Sequence, residues 1–385
     1  MQLLKLILRN TLRHKLRTWL TVLGIIVATL AFGLLRTVVD AWYAGAESAS
    51  AARLVTRNSI SLVFPLPITY QGKIRQIEGV AAVSYANWFG GVYINEKNFF
   101  PQFAIEPQSY LDLYPEYLLP ESQKKAFMQD KSSCIIGAKL AETYGFKLGD
   151  TVPLRGTIYP GTWNFVVRGI YQGAAENTDR SQFFFHWSYL NETLKKTVAR
   201  RAESVGVYIV GLEDADDAAE TAGRIDATFR NSLAETLTET EKAFQLGFVS
   251  MTEAIVVAIR IVSFVVIGII MAVMANTMAM TARERRPEYA TLKALGFGPA
   301  FIASLLFGES LAIALFGGTL GALATFPVAE TFGAAMGTLF PVFNVSVETL
   351  IMQFSAAAAV GLIAAVLPAI RAVRAPIVEG LRSIG

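Results

Sequence analysis

Arg283-Glu284-Arg285-Arg286-Pro287-Glu288-Tyr289-Ala290-Thr291-Leu292-Lys293-Ala294-Leu295-Gly296 is a charge-dense segment set between two strongly apolar stretches. In a membrane protein, such a segment between two spans lies as a short polar helix flat against one membrane face, where a soluble partner can push on it. Glu288, Leu292 and Leu295 follow at spacings of four and three, which sets apolar side chains beside charges on one helix. Pro287 suits a first helical turn, so the helix is expected to start there.

The flanking runs fix the class. A spanning helix needs roughly 20 apolar residues, and four stretches qualify: Trp19 to Leu35 with an extension to Val39, Ile261 to Ala282, Ala300 to Val328, and Leu350 to Ile370. The whole 385-residue chain is 53% hydrophobic and only 17% charged, below the roughly 25% of a soluble protein. Its mean hydropathy is +0.42. The expected fold class is an α-helical membrane protein with four transmembrane helices plus a mixed α/β extracytoplasmic domain between helices 1 and 2. Residues 1–17 form an amphipathic cytoplasmic-face helix and 18–43 transmembrane helix 1. Residues 44–252 form the extracytoplasmic domain and 253–282 helix 2. The cytoplasmic coupling segment is 283–298, helix 3 is 299–328, a short outer loop is 329–348, helix 4 is 349–370 and the tail is 371–385.

Basic residues set the orientation. Lys5, Arg9, Arg13, Lys15 and Arg17 precede helix 1; Arg283, Arg285, Arg286 and Lys293 follow helix 2; Arg371, Arg374 and Arg382 follow helix 4. A four-span chain brings all three clusters to one side, the cytoplasm, with both termini. The large domain, with its acidic run Glu213-Asp214-Ala215-Asp216-Asp217, lies outside. Ser48-Ala49-Ser50 resembles the small residues of a signal-peptide site, but the apolar run is longer than an ordinary signal core, so helix 1 reads as uncleaved. Arg36 and Arg260 fall at outer span ends, where such side chains snorkel to the headgroups. The segment Leu3 to Arg13 has helical apolar–basic alternation; it is either a simple anchor or a helix that transmits lateral force.

In the outer domain, residues 44–60 are expected to continue helix 1. Strands are expected at Ala81–Tyr85, Gly91–Ile94, Cys134–Gly137, after Leu148, at Trp163–Ile170 and at Val205–Val210, with a helix at Ala138–Tyr144. Asp216 to Leu237 reads as a helix running on toward span 2. His186, in Phe183-Phe184-Phe185-His186-Trp187, reads as packing, since no nucleophile motif accompanies it. The chain has no G-x-S-x-G, H-E-x-x-H or Walker A sequence. It therefore reads as a non-catalytic subunit without a metal site, and any ATP hydrolysis belongs to a partner. With Cys134 as the sole cysteine, no intrachain disulfide is possible.

Glu309 lies in an apolar stretch, where a charge costs on the order of 3 kcal/mol. It pairs with another span, sits near the inner headgroups or is protonated, and a structural role is favoured over transport chemistry. Gly317, Gly318 and Gly321 permit close helix contact, within the subunit or across a dimer.

The layout resembles the MacB/FtsX/LolC-type permeases, the mechanotransmission class (type VII) of ABC transporters. Leu16 to Ile25 resembles that family's entry into span 1, Arg283 to Gly296 its coupling segment, Gly308-Glu309 with the three glycines its third span, and Leu367 to Arg382 its C-terminal close. Ile135 to Leu154 with Phe165 to Tyr171 resembles its inserted β-rich subdomain, here about 131–190. The resemblance implies a MacB-like periplasmic domain and a permease subunit, paired with a second copy of the same or a related chain. It implies that Arg283, Glu284, Arg285, Arg286, Glu288, Leu292, Lys293, Leu295 and Gly296 couple to a cytosolic ATPase that carries the ATP and Mg. It also implies a bacterial inner membrane, and export or extraction of a substrate on the outer side with a periplasmic adaptor or a lipoprotein as further partner. The alternative is an FtsX-like signalling subunit that activates a cell-wall hydrolase. Nothing in the sequence points to nucleic acid.

Overall fold

The computed structural model describes residues 15–336, 340 and 342–376. The amphipathic segment read at 1–17 and the tail at 371–385 lie largely outside the described residues. Two compact units emerge: a membrane unit of residues up to 40, 253–335 and from 343, and an outer unit of 41–252 with 336–342.

Four helices are long and apolar enough to cross a membrane: span 1 (Lys15–Ser48), span 2 (Glu253–Glu284), span 3 (Pro299–Met336) and span 4 (Val347–Arg374). Each is longer than the hydrocarbon core requires. At 1.5 Å per residue, the 34 residues of span 1 reach about 50 Å against a core of about 30 Å. Span 4 starts cleanly because Ser346 caps it, its hydroxyl accepting from Thr349 N at 3.1 Å.

The glycines of span 3 meet neighbouring spans of the same subunit. A Cβ at Gly317 would stand 2.9 Å from Ile25, and one at Gly321 would stand 2.8 Å from the Ile26 carbonyl oxygen. Gly318 faces the other way, its Cβ position 2.6 Å from Ala357. One stripe thus seats span 1 and its neighbour seats span 4, all within one subunit. Gly321→Ala is expected to destabilise the bundle by roughly 1–3 kcal/mol, because the clash is with backbone. Gly268→Ala on span 2, where a Cβ meets open space, should be neutral. Thermal unfolding of both variants in lipid nanodiscs reads the difference.

The polar side chains divide the bundle unevenly. Ser310 Oγ donates to Gly361 O at 2.6 Å, joining spans 3 and 4. Asp40 of span 1 accepts from Ser346 and Thr349 at the start of span 4, both at 3.0 Å. Arg36 stands 3.1 Å from Asp40 and 3.3 Å from Glu348, so it is held by carboxylates rather than only snorkelling. In span 2, Ser263, Thr277 and Thr281 donate to their own helix. Its buried contacts are apolar, through Ile270, Met274 and Met278.

The strands of the outer unit are β1 (Arg53–Asn58), β2 (Leu66–Pro67), β3 (Val80–Trp88), β4 (Gly91–Val92), β5 (Gln102–Ile105), β6 (Tyr117–Leu118), β7 (Ser133–Gly137), β8 (Thr151–Gly156), β9 (Gly161–Gly173), β10 (Phe183–His186), β11 (Ser204–Val205), β12 (Val207–Leu212) and β13 (Thr236–Thr240). The main sheet runs β13-β1-β12-β3-β5-β10-β7-β9-β8-β4, with β6 beside β9 and a separate β11-β2 pair. The stretch expected as an inserted β-rich subdomain, about 131–190, supplies β7 to β10 of this same sheet.

The aromatic run is explained by its place in the sheet. β10 lies between β5 and β7, and strand alternation sends Phe183 and Phe185 to one face and Phe184 to the other. Phe183 and Phe185 join the core that contains Phe89 and Phe165. Phe184 joins the core with Tyr110, Phe127 and Tyr171. Both faces are covered, so the run is continuous rather than alternating. His186 shares a 2.8 Å hydrogen bond with the Phe127 carbonyl. Burial lowers its imidazole pKa, so the ring is neutral packing, as read from the sequence.

Two expectations in this domain are corrected. Residues 44–60 do not continue the first helix throughout: it ends at Ser48, and β1 follows between β12 and β13. Leu54, Val55 and Thr56 are buried in that sheet, and pairing with two distant strands overrides the Ala/Ser-rich helical signal before them. The helix read over Asp216 to Leu237 is confined to Ala218–Thr228. Asn231 turns the chain at φ 60°, and the β-branched Thr236, Thr238 and Thr240 form edge strand β13. Asp226 closes that edge by accepting from Thr238 N at 3.0 Å and from the Thr236 and Thr238 hydroxyls. The helix Glu241–Met251 then precedes span 2, broken from it at Thr252. Trp42 Nε1 donates to Thr252 Oγ1 at 2.7 Å, tying the two ends of the domain together.

Candidate functional site

The segment expected to couple holds the helix Arg286–Ala294, with Pro287 in its first turn. It is anchored at three points. Arg285, immediately before it, has 9% side-chain exposure. Its Nη1 donates to Glu309 Oε2 at 2.8 Å and its Nε to Glu288 Oε2 at 2.9 Å. The guanidinium also sits 5.5 Å from the centre of the Tyr289 ring. Glu309 in span 3 has 6% side-chain exposure; its partner comes from the segment after span 2 rather than from another span.

Lys293 makes the second anchor. Its ammonium donates to the carbonyls of Ala372, Val373 and Ala375 at 3.1, 2.8 and 2.7 Å. Those carbonyls end span 4, where helix geometry leaves acceptors unsatisfied and the dipole favours a cation. The third anchor is a fork: Arg17 of span 1 donates to both carboxylate oxygens of Glu284, at 2.8 and 2.7 Å.

The inward face therefore differs from the stripe read from the sequence. Arg285, Tyr289 and Lys293 recur every four residues and turn inward, with Tyr289 and Ala290 buried. Burial pushes the Tyr289 phenol up to about 12. Leu292 packs partly against the membrane core. Leu295, expected beside it on an apolar stripe with Glu288, is 71% exposed. Arg283, Glu284, Arg286 and Gly296 are also on the exposed side, with Gly296 at φ 91° ending the helix. Sequence reasoning missed Tyr289, Ala290, Arg17 and the exposed Phe297, which stacks on Phe301 at 4.7 Å. The every-four recurrence of Arg285, Tyr289 and Lys293 was the available signal.

No group of His, Cys, Asp and Glu able to hold a metal occurs among the described residues. The arrangement is a short helix fastened to spans 3 and 4, presenting Arg286, Leu295 and Phe297 outward.

Comparison with known proteins matches both halves. Residues 18–228 match the MacB-like periplasmic core domain, and residues 260–377 match the FtsX-like permease C-terminal family. An uncharacterized ABC transporter permease of Methanocaldococcus jannaschii is 23% identical over 97% of this chain and 96% of its own length. The extracellular domain of the noncanonic ABC-type transporter YknZ from Gram-positive bacteria covers 49% of this chain and 100% of its own, at 15% identity and a TM-score of 0.34. The two domain matches follow one another along the chain in the order that the membrane and outer units require. The chain belongs to the MacB/FtsX family of ABC transporter permeases.

Proposed function

We propose that this permease converts ATP hydrolysis by a separate cytosolic ATPase into movement of its extracytoplasmic domain. That movement drives export or extraction of a substrate on the outer side of the membrane. The chain works as a dimer, in a bacterial inner membrane with both termini cytoplasmic, alongside a periplasmic adaptor or a lipoprotein. ATP and Mg are held by the ATPase.

One observation carries this reading. The coupling helix is fastened inward by Arg285–Glu309 and by Lys293 on the end of span 4, while Leu295 stays 71% exposed. A push on the exposed end is therefore passed to the bundle instead of being absorbed by a loose loop. Spans 1, 3 and 4 share polar links, and span 1 runs on into the outer domain as one helix to Ser48. No polar pathway through the bundle is needed for work done outside it.

Leu295→Asp tests the reading. The side chain is exposed, so unfolding temperature should be unchanged. An apolar anchor in a partner groove should be lost, and the ATPase should no longer be retained by, or respond to, the permease in nanodiscs. Full retention and an unaltered ATPase rate would contradict the coupling role.

A further inference from the structure

One cavity of the membrane unit is walled by positive charge that the fold leaves unused. It lies between the helix Arg286–Ala294 and the end of span 4, and its volume is about 360 Å³, within the range of small-molecule sites. Arg283, Arg286 and Lys293 line it, and Glu284 is the one acid on its described walls. Glu284 is already engaged by the fork from Arg17. Lys293 spends its three hydrogens on the carbonyls that end span 4, so it adds charge to the cavity but no free donor. Arg283 and Arg286 differ. Both are exposed, and neither has a hydrogen bond or an ion pair among the described residues. Each guanidinium carries five N–H donors in a planar fork. Two such forks border a space whose only acid is held elsewhere.

The depth of the cavity narrows the choice of ligand. Ala372 and Ala375, on its far wall, belong to the last turn and the C-cap of span 4. At 1.5 Å per residue the 28 residues of span 4 reach about 42 Å, against a hydrocarbon core of about 30 Å. The last turn, with Arg371 and Arg374, therefore stands among the headgroups, and the cavity stands beside it.

We propose that this cavity binds a phosphate-bearing anion, whose oxygens accept from Arg283 and Arg286 while Lys293 adds to the attraction. A guanidinium fork takes phosphate oxygens two at a time, and basic pockets between spanning helices bind anionic headgroups. At that depth the anion is the phosphate of an acidic phospholipid, or free phosphate from the aqueous side. Bound there, it bridges Arg283 at the end of span 2 to Arg286 at the start of the coupling helix. The helix then gains a fastening beside Arg285 that comes from the ligand and not from the chain.

The test is native mass spectrometry of the full chain, released from nanodiscs of phosphatidylcholine mixed with phosphatidylglycerol. The chain is expected to retain phosphatidylglycerol in several-fold preference. Arg283→Gln with Arg286→Gln should abolish the preference. Arg371→Gln with Arg374→Gln, which removes the same charge from side chains that do not line the cavity, should leave it. All four side chains are exposed, so the three proteins should unfold at the same temperature in phosphatidylcholine alone. A second arm exchanges chloride for inorganic phosphate around the chain in phosphatidylcholine nanodiscs. A rise in unfolding temperature there, absent from the Arg283/Arg286 variant, would identify free phosphate as the ligand in place of a headgroup. No lipid preference together with no response to phosphate would overturn the proposal. Equal loss in both double variants would overturn it as well, since the attraction would then be diffuse. So would retention of a protein partner through these two arginines without either anion effect. Neither arm contains an ATPase, so the result does not depend on what drives the transporter.

Discussion

Arg285→Ala is expected to destabilise the membrane unit by about 3–5 kcal/mol, the cost of removing one member of a buried ion pair. The lost guanidinium satisfies Glu309 at 2.8 Å and Glu288 at 2.9 Å. Glu288 has 39% side-chain exposure and can turn to water; Glu309 at 6% cannot. The cost therefore falls on Glu309, and this gives the prediction its internal check. Glu309→Gln in the Arg285→Ala background removes the buried charge and should recover much of the stability without restoring the anchor. Thermal unfolding in nanodiscs measures the recovery. The ATPase rate of the assembled complex should stay low in both, because the coupling helix has lost its fastening to span 3. Equal melting of Arg285→Ala and the unaltered protein would mean that the pair is structurally idle.

Arg53→Ala carries the second large effect, in the outer unit. Arg53 begins β1, and five contacts converge on it. Nε donates to Glu241 at 2.8 Å, Nη1 to the Leu113 carbonyl at 2.9 Å and Nη2 to Glu116 at 2.5 Å. Nη1 also reaches Glu116 at 3.2 Å, and the guanidinium lies 4.1 Å from the centre of the Tyr114 ring. Glu241 is itself the first residue of the helix that precedes span 2, and it accepts from Tyr114 Oη at 2.8 Å and Ser50 N at 3.1 Å. Removing Arg53 leaves the buried Glu241 without its cation, at a cost again of about 3–5 kcal/mol. Arg53→Lys should rescue only partly, since one ammonium cannot reproduce a planar fork serving two carboxylates and a carbonyl. Hydrogen exchange on the full chain should show β1 and Glu241–Met251 losing protection together. Loss confined to β1 would mean that Arg53 does not join the two.

Much of this was legible in the sequence where the signal is local. Four apolar runs, three basic clusters on one side and a charged segment between spans define the membrane unit. Each rests on composition within about 20 residues. The family was legible for the same reason, through contiguous motifs. What was not legible depends on partners far along the chain. β1 and β13 pair with each other across about 180 residues of sequence, and no local rule outweighs the helical periodicity beside them. The stripe of Glu288, Leu292 and Leu295 was legible from spacing, but that Arg285, Tyr289 and Lys293 turn inward depends on partners in other spans. Glu309 posed a visible problem in the sequence, an acid among apolar residues. Its answer, Arg285, lay in the quoted segment 24 positions earlier, but only the packed bundle shows which arginine of that run reaches it.

An ATP-hydrolysing partner is expected to bear on the exposed end of the coupling helix. A photoreactive amino acid placed at Leu295, activated in native membranes with every adduct identified by mass spectrometry, tests it most directly. The same probe at Leu233, fully exposed in the outer unit, serves as the control. The expected result is an adduct with an ATP-binding protein from Leu295 and none from Leu233. Capture of lipid alone at Leu295, in membranes whose other transporter complexes remain intact, would contradict it.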